Sequence, residues 1–152
     1  MSTEPINNAL EHAIKLRHPK DNWFLYRELR TGTGWAKYAE QRLDYFAMHQ
    51  WPSRRFERHV YEMKATRADF RTELKKPRKR RLALRFSNYF WFITPPGIAK
   101  EEEIPGACGL IEVPIDGHGK CKIVIPADYR DTVPPTWLFM AAVCRHVQRL
   151  KS

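Results

Sequence analysis

A carboxylate and an amine two residues apart are the first pair in this sequence whose spacing suggests chemistry. Glu62 and Lys64 lie in an alternating stretch from Phe56 to Ala65. On a strand, residues two apart project to the same face, about 7 Å apart. Asp44 lies upstream in another strand-like segment, and if the two segments pair as antiparallel strands, Asp44 and Glu62 come together. These three side chains are the candidate catalytic residues.

Two carboxylates at one site suit a hard divalent cation. Mg²⁺ prefers oxygen ligands and usually takes only one or two carboxylates from a protein, so Asp44 and Glu62 predict a Mg²⁺ site in which Mn²⁺ could substitute. A bound ion lowers the pKa of a water and polarises phosphoryl oxygens, and the Lys64 ammonium can stabilise the charge that develops on phosphorus. Glu28, near the end of the first strand, could be a third acid or hold a second ion. The pattern predicts metal-assisted phosphodiester hydrolysis.

The charge of the chain points to a polyanionic partner. The 152 residues contain 27 Lys and Arg against 17 Asp and Glu, a formal net charge of +10, which favours nucleic acid or an anionic membrane surface. The run Lys75 to Arg81 is almost entirely cationic, and its alternative interpretation is a solvated face. We expect DNA phosphate contacts from the cations that follow the proposed site, namely Arg67, Arg71, Lys75, Lys76, Arg78, Lys79, Arg80 and Arg81.

The elements that must position these residues follow from periodicity and turn signals. Helices are predicted at Asn7 to Leu16, Thr66 to Leu74 and Thr136 to Leu150. Strands are predicted at Trp23 to Leu29, Arg42 to Met48, Phe56 to Ala65, Asn88 to Thr94, Gly109 to Val113 and Cys121 to Ile125. The length is that of one domain spanning residues 1–152. The mixture of strands and helices predicts an α/β fold, in which a central mixed sheet is covered by helices.

Two of these assignments have alternatives. The segment ending at Met48 is ambiguous by period, and Asp44 could instead be an exposed acid on a helix from Trp35 to Met48. Glu62 and Lys64 could be surface partners on an edge strand, because alternating charges are typical of exposed faces. Either alternative would remove the metal site.

The chain has no features of an exported or membrane protein. The longest apolar run, Trp137 to Cys144, is far shorter than the roughly 18 residues of a membrane span, and the N-terminus lacks a secretory signal pattern. Three widely spaced cysteines, Cys108, Cys121 and Cys144, do not form a disulfide or zinc pattern and predict buried thiols. We expect a cytoplasmic protein with no membrane partner.

The longer context of these residues resembles a nuclease superfamily. Arg42-Leu-Asp44, Tyr61-Glu-Met-Lys-Ala-Thr-Arg-Ala-Asp-Phe70, Tyr89-Phe-Trp-Phe-Ile-Thr-Pro95 and Gly109-Leu-Ile-Glu-Val113 resemble the PD-(D/E)xK superfamily, which has a restriction-endonuclease-like fold. The small bacterial and phage members, including the MmcB-like DNA repair family, are the most similar. The resemblance covers about residues 8–113 and leaves 114–152 as a C-terminal strand and helix extension.

The resemblance implies roles for individual residues. Asp44 and Glu62 match the metal acids, Lys64 matches the catalytic lysine, the carbonyl of Met63 would be a further metal ligand, and Glu28 resembles an additional acid of the short members. Leu43 stands where the motif has Pro, and Glu11 is the acid of the first helix able to serve as the superfamily's helical glutamate. The resemblance implies a Mg²⁺-dependent deoxyribonuclease, namely an endonuclease, acting in DNA processing or repair in a bacterial or phage-infected cell.

Two other functions remain open at the level of sequence. The first is a catalytically inactive nucleic-acid-binding module of the same fold, whose positive charge serves only to hold its partner. The second is a structural or regulatory protein that docks a partner through its C-terminal helix. A nuclease with one site per chain that cuts both strands must dimerise or act twice, so a homodimer is a further expectation.

Overall fold

The computed structural model describes residues 2–33, 41–116 and 120–151, without the side chain of Lys79. Within these residues the helices are α1 (Glu4–Arg17), α2 (Arg67–Leu74), α3 (Pro77–Phe86) and α4 (Trp137–Lys151). The strands are β1 (Trp23–Arg30), β2 (Arg42–His49), β3 (Arg58–Met63), β4 (Tyr89–Thr94), β5 (Gly109–Glu112) and β6 (Lys122–Ile125). Short 3₁₀ turns lie at Pro52–Arg54 and Glu101–Glu103. The predicted α/β fold is confirmed.

The six strands form one mixed sheet in sequence order. β1 pairs antiparallel with β2, and β2 pairs antiparallel with β3. β4 is parallel to both β3 and β5, and β6 is antiparallel to β5. The parallel step from β3 to β4 requires a crossover, which α2 and α3 provide. β3 is therefore a central strand, and the alternative that Glu62 and Lys64 lie on an exposed edge strand is wrong.

Both faces of the sheet are covered. Phe90 and Phe92 on β4 belong to one apolar core, which includes Phe70 of α2, while Trp91 and Ile93 belong to the other core, beneath α1. Side chains of a strand alternate between faces, so a strand with both faces buried reads as a continuous apolar run. This explains the aromatic composition of β4.

Most predicted elements agree with the structure to within one or two residues, including β2, so the alternative of a helix through Asp44 is wrong. β3 begins at Arg58 rather than Phe56, because Arg55 and Phe56 adopt left-handed backbone angles (φ of 52° each) after the preceding 3₁₀ turn. The helical cap at Thr66 is confirmed, since its hydroxyl accepts a hydrogen bond from the N–H of Asp69 at 3.1 Å.

The sequence analysis missed α3. Pro77 stands in its first turn, where the missing N–H and fixed φ of proline favour helix initiation. The helix continues through the apolar residues Ala83 and Phe86, which are buried in the core. The cationic run before them is therefore the start of an amphipathic helix and not a loop.

The C-terminal extension takes part in the fold. β6 pairs with β5, and α4 lies against β1, with Phe139 and Ala142 buried. Cys108 is buried, whereas Cys121 and Cys144 are exposed. The prediction of three buried thiols is wrong for these two, because Cys121 precedes an edge strand and Cys144 faces away from the sheet.

Candidate functional site

An ion cluster built on β3 lies beneath helix α2. The Lys64 Nζ is 3.7 Å from Glu62 Oε2 and 3.5 Å from Glu73 Oε2. Glu62 and Glu73 are buried. α2 is held over this face of the sheet by its Phe70 ring, which packs edge-on against Phe92 at 5.5 Å. Glu73, which the sequence analysis did not identify, therefore reaches the same ammonium as Glu62.

Asp44 joins this cluster from the neighbouring strand. Its Oδ2 accepts a hydrogen bond from the backbone N–H of Met63 at 2.8 Å. Tyr45 pairs with Tyr61 across β2 and β3, so Asp44 stands at the position next to that pair, beside Glu62. Because the N–H and C=O of one strand residue point toward the same neighbouring strand, the Met63 carbonyl also faces Asp44.

The charges of the cluster act on Lys64. Burial lowers the pKa of its ammonium, but the carboxylates of Glu62, Glu73 and Asp44 outweigh burial, and the net effect raises the pKa above its ordinary value. Lys64 therefore stays protonated at neutral pH. An ammonium of this kind can stabilise negative charge or orient a water, and it cannot act as a general base.

An open pocket of about 260 Å³ lies beside Asp44 and is lined by residues of both α1 and α2. Four acids from four different elements line it, namely Glu11, Glu28, Asp44 and Asp69. We call it the acid pocket. Of the described residues, Glu62 and Lys64 do not line it, since both point toward α2, whereas Met63 between them does. Asp44 is thus the residue that connects the ion cluster with the acid pocket.

Arg27 organises one wall of the acid pocket. Its Nε lies 3.2 Å from Glu11 Oε1, and its Nη2 lies 4.0 Å from Glu28 Oε1. Glu28 has a left-handed φ of 53°, which is uncommon for a residue other than glycine and costs about 1 kcal/mol or more. Its side chain is 60% exposed and stands on the edge strand β1, as the sequence analysis expected of its position. Such strain is often found at functional sites.

The described residues hold no group of three or more His, Cys, Asp or Glu side chains arranged to bind a metal ion. Asp44 instead accepts a backbone N–H, and Glu62 contacts an ammonium. The oxygen donors predicted from the sequence are present and close together. Their side chains are arranged around Lys64 and Met63.

The cations predicted to contact DNA fall into four groups, of which buried Arg80 is the last. Arg71, Lys75, Lys76, Arg78 and Arg81 are exposed along the end of α2 and the outer face of α3. Arg67 is engaged elsewhere, because its guanidinium donates two hydrogen bonds to the Glu103 carboxylate, at 3.0 and 3.1 Å, and one to the carbonyl of Ile98 at 2.7 Å. The side chain of Lys79 is outside the described part of the chain.

Arg80 differs from the expectation of a DNA contact. Its side chain is buried, and it donates a hydrogen bond to the Glu73 carbonyl at 2.8 Å, near the end of α2. The last carbonyls of a helix lack intrahelical partners, so Arg80 joins α2 to α3. Arg85, which the sequence analysis missed, is exposed. The helical spacing of Arg78, Arg81 and Arg85 is the signal that would have identified it.

A separate, mostly apolar cavity is lined by none of the candidate acids among the residues described. It measures about 560 Å³ and lies between α4 and the β1–β2 hairpin, where Phe24, Phe46 and Phe139 line it. Arg58 stands at its wall, and its guanidinium donates hydrogen bonds to protein oxygens on three sides. No candidate catalytic residue faces this cavity among the residues described.

Comparison with known proteins shows the fold and leaves the activity open. No protein-family model and no curated protein matches the chain. A solved structure of a protein of unknown function from Silicibacter pomeroyi is similar, with a TM-score of 0.61 and 19% sequence identity over 95% of this chain and 90% of that chain. At this identity the likeness shows the architecture alone.

The described helices include none that is long and apolar enough to cross a membrane.

Proposed function

We propose that this protein is a metal-dependent nuclease that hydrolyses phosphodiester bonds of DNA in DNA processing or repair, with Asp44, Glu62 and Lys64 at its centre. The observation that carries the proposal is the contact of buried Glu62, on central strand β3, with half-buried Lys64 just after that strand, beside Asp44. Buried ion clusters seldom add stability, because desolvation offsets the attraction between the charges. Such clusters are characteristic of functional sites.

The order of elements supports the resemblance to the PD-(D/E)xK superfamily. Asp44 lies on β2, Glu62 lies on the adjacent β3, and Lys64 follows immediately after it, before the capped helix α2. This is the acid, loop, Glu-x-Lys and helix arrangement on which the resemblance rests. The mixed sheet flanked by helices is compatible with a restriction-endonuclease-like fold.

Mg²⁺ or Mn²⁺ fits the chemistry of the donors. Asp44, Glu62, the Met63 carbonyl and Glu28 offer only oxygen, which hard cations prefer, and Asp44 and Glu28 also face the acid pocket. When bound, the ion would lower the pKa of a water and polarise the phosphate. The three carboxylates of Glu62, Glu73 and Asp44 act on one ammonium, that of Lys64, so the cluster attracts a further cation.

The protein's own residues have distinct tasks in this proposal. Lys64, protonated at neutral pH, stabilises the charge that develops on the phosphate. Glu73 is a positioning residue, because it holds the Lys64 ammonium from the side of α2. The exposed cations of α2 and α3, including Arg71, Lys76 and Arg78, contact phosphates away from the scissile bond.

Plasmid cleavage tests the proposal directly. Purified protein is incubated with supercoiled plasmid and with a labelled single strand, in Mg²⁺, in Mn²⁺ and in EDTA. We expect metal-dependent nicking or linearisation that falls by about 100-fold or more in Glu62→Gln and in Lys64→Met. Glu102→Gln, which changes an exposed acid in the 3₁₀ turn between β4 and β5, is the matched control and should cleave normally. Cleavage that survives in both variants, or in EDTA, would contradict the assignment of these residues.

A second candidate is a nucleic-acid-binding module without catalysis. The arrangement of Glu62 favours it, since this carboxylate contacts Lys64 and does not line the acid pocket among the residues described. A shared ion would require the Glu62 side chain to turn away from Lys64. Salt-sensitive DNA binding without cleavage in either metal, reduced in Arg78→Ala and Arg81→Ala, would identify this second function.

A further inference from the structure

A second strongly basic surface is lined by none of the cations of α2 and α3 among the residues described. It is a groove of about 270 Å³ between the ends of β1 and β2 and the last turns of α4. Five arginines line it, namely Arg27, Arg30, Arg42, Arg145 and Arg149. Glu28 is the only acid on its wall among the residues described. We call it the arginine groove.

Two like-charge pairs face this groove. Arg30 and Arg42 are direct partners across the β1–β2 ladder, where like charges destabilise a sheet. Arg145 and Arg149 are one turn apart on α4, where like charges destabilise a helix. Two elements that are distant in sequence therefore each bring an unfavourable pair to one concave surface. A bound polyanion would attract both members of each pair and so offset their repulsion.

The groove is continuous with the acid pocket. Arg27 and Glu28 line both cavities, and Glu28 is the residue with the left-handed backbone conformation. His146 lies on the α4 wall of the groove. Burial lowers the pKa of its imidazole, and the positive charge of Arg149 lowers this pKa further. A chain of phosphates in the groove would lead past Arg27 and Glu28 to Asp44.

We propose that the arginine groove binds the phosphodiester backbone of the nucleic acid and guides it to the acid pocket, with α4 supplying one wall. The identity of the ligand as nucleic acid rests on the proposed function. Guanidinium groups match phosphate oxygens in a planar, bidentate geometry. A concave site also suits a single backbone better than it suits a flat anionic membrane. The C-terminal extension, outside the region of family resemblance, is thus part of the substrate site.

DNA binding measured without cleavage tests this inference. The full-length protein is titrated into fluorescently labelled single-stranded and duplex DNA in EDTA, by anisotropy, over a range of salt concentrations. We expect Arg145→Ala/Arg149→Ala to weaken binding about tenfold or more. The slope of log K against log salt should become shallower by about 1.4 on single strands and about 1.8 on duplex, from roughly 0.7 and 0.9 per phosphate contact.

The control removes equal charge from exposed positions outside the groove. Lys122→Ala/Lys151→Ala replaces two exposed lysines that do not line the groove, and it should change the affinity less than twofold. Arg42→Ala tests the opposite wall of the groove independently of α4. It should make the slope of log K against log salt shallower by about 0.7 on single strands and about 0.9 on duplex, the values for one phosphate contact. Thermal melting of each variant verifies that it is folded.

The outcomes separate this inference from the proposed function. One outcome is that Arg145→Ala/Arg149→Ala and Arg42→Ala make the slope of log K against log salt shallower while no metal supports cleavage. This would support DNA binding by the groove and contradict the nuclease proposal. If the groove variants bind DNA like the lysine control while Glu62→Gln abolishes cleavage, the groove inference is overturned and the nuclease stands. Binding to phosphatidylserine vesicles that depends on Arg145 and Arg149, with DNA binding unchanged, would assign the groove to a membrane surface and overturn the inference.

Discussion

Replacing Lys64 by Met separates the structural role of the buried ion cluster from its chemistry. Met has a similar length and no charge, so the variant removes the ammonium that Glu62 and Glu73 share. At 3.5 to 3.7 Å and an effective dielectric constant near 20, each pair attracts by about 4–5 kcal/mol. The desolvation of Lys64, whose side chain is 15% exposed, offsets part of this attraction.

The expected loss is large compared with the stability of a small domain. Removing one partner from a buried charge pair costs about 3–5 kcal/mol, and we expect about 3 kcal/mol for Lys64→Met because the site is not fully buried. For a domain of this size the melting temperature should fall by about 6–12 °C. Adding Glu73→Gln to Lys64→Met removes one of the two carboxylates that no longer contact an ammonium. The double variant should regain about half of the lost unfolding free energy.

Urea unfolding followed by circular dichroism measures these changes, and Lys76→Met is the matched control. Lys76 is exposed at the junction of α2 and α3, so its loss should change the unfolding free energy by less than about 0.5 kcal/mol. A Lys64→Met variant as stable as the control would refute the electrostatic reasoning. If Lys64→Met/Glu73→Gln recovers stability without recovering cleavage, Lys64 acts in the reaction itself.

Three further predictions concern the fold. Burial lowers the pKa of His18 to about 2 from its ordinary 6.5, with smaller contributions from neighbouring cations; the native state favours the neutral ring, so stability is full above pH 6.5 and falls below it. Urea unfolding should therefore show a loss of about 2 kcal/mol from this residue between pH 6.5 and 5, and a flatter dependence in His18→Gln. Gly109→Ala would place a Cβ 2.5 Å from the Trp91 ring and should lower the unfolding free energy by about 1–3 kcal/mol, whereas Gly106→Ala, with open space around it, should change it little; equal values for the two would disprove the steric argument. Thr66→Ala removes the helix cap and should cost about 1 kcal/mol in thermal unfolding, while Thr66→Ser should restore it.

Local patterns predicted the secondary structure well because each signal is carried by neighbouring residues. The alternation around Val60, the aromatic run of β4 and the Thr66 cap depend on strand and helix periodicity and on one side-chain hydrogen bond. α3 was missed because it begins with a run of cations that shows no apolar periodicity. Its buried apolar residues, Ala83 and Phe86, come only later in the helix. Pro77 was the available signal.

The candidate site was predicted in part for the same reason. Glu62 and Lys64 are two residues apart, so strand geometry alone brings them to one face. Glu73 lies on a helix whose placement depends on the packing of Phe70 against Phe92. The spacing of residues along the chain contains no information about that contact, and the second partner of Lys64 was therefore missed.

The sequence alone determined the α/β architecture, the charge excess that favours a polyanion, and the common face of Glu62 and Lys64, because all three depend on composition or on regular strand periodicity. The place of Asp44 beside them depends on the pairing of β2 with β3. Tertiary structure decided which of the cations predicted to contact DNA remain exposed to make such contacts. Arg67 is bound to Glu103 and Arg80 is buried against α2, although both belong to the same cationic region in sequence. Tertiary structure also brought α4 against β1, which forms the arginine groove, because only packing relates residues more than a hundred positions apart.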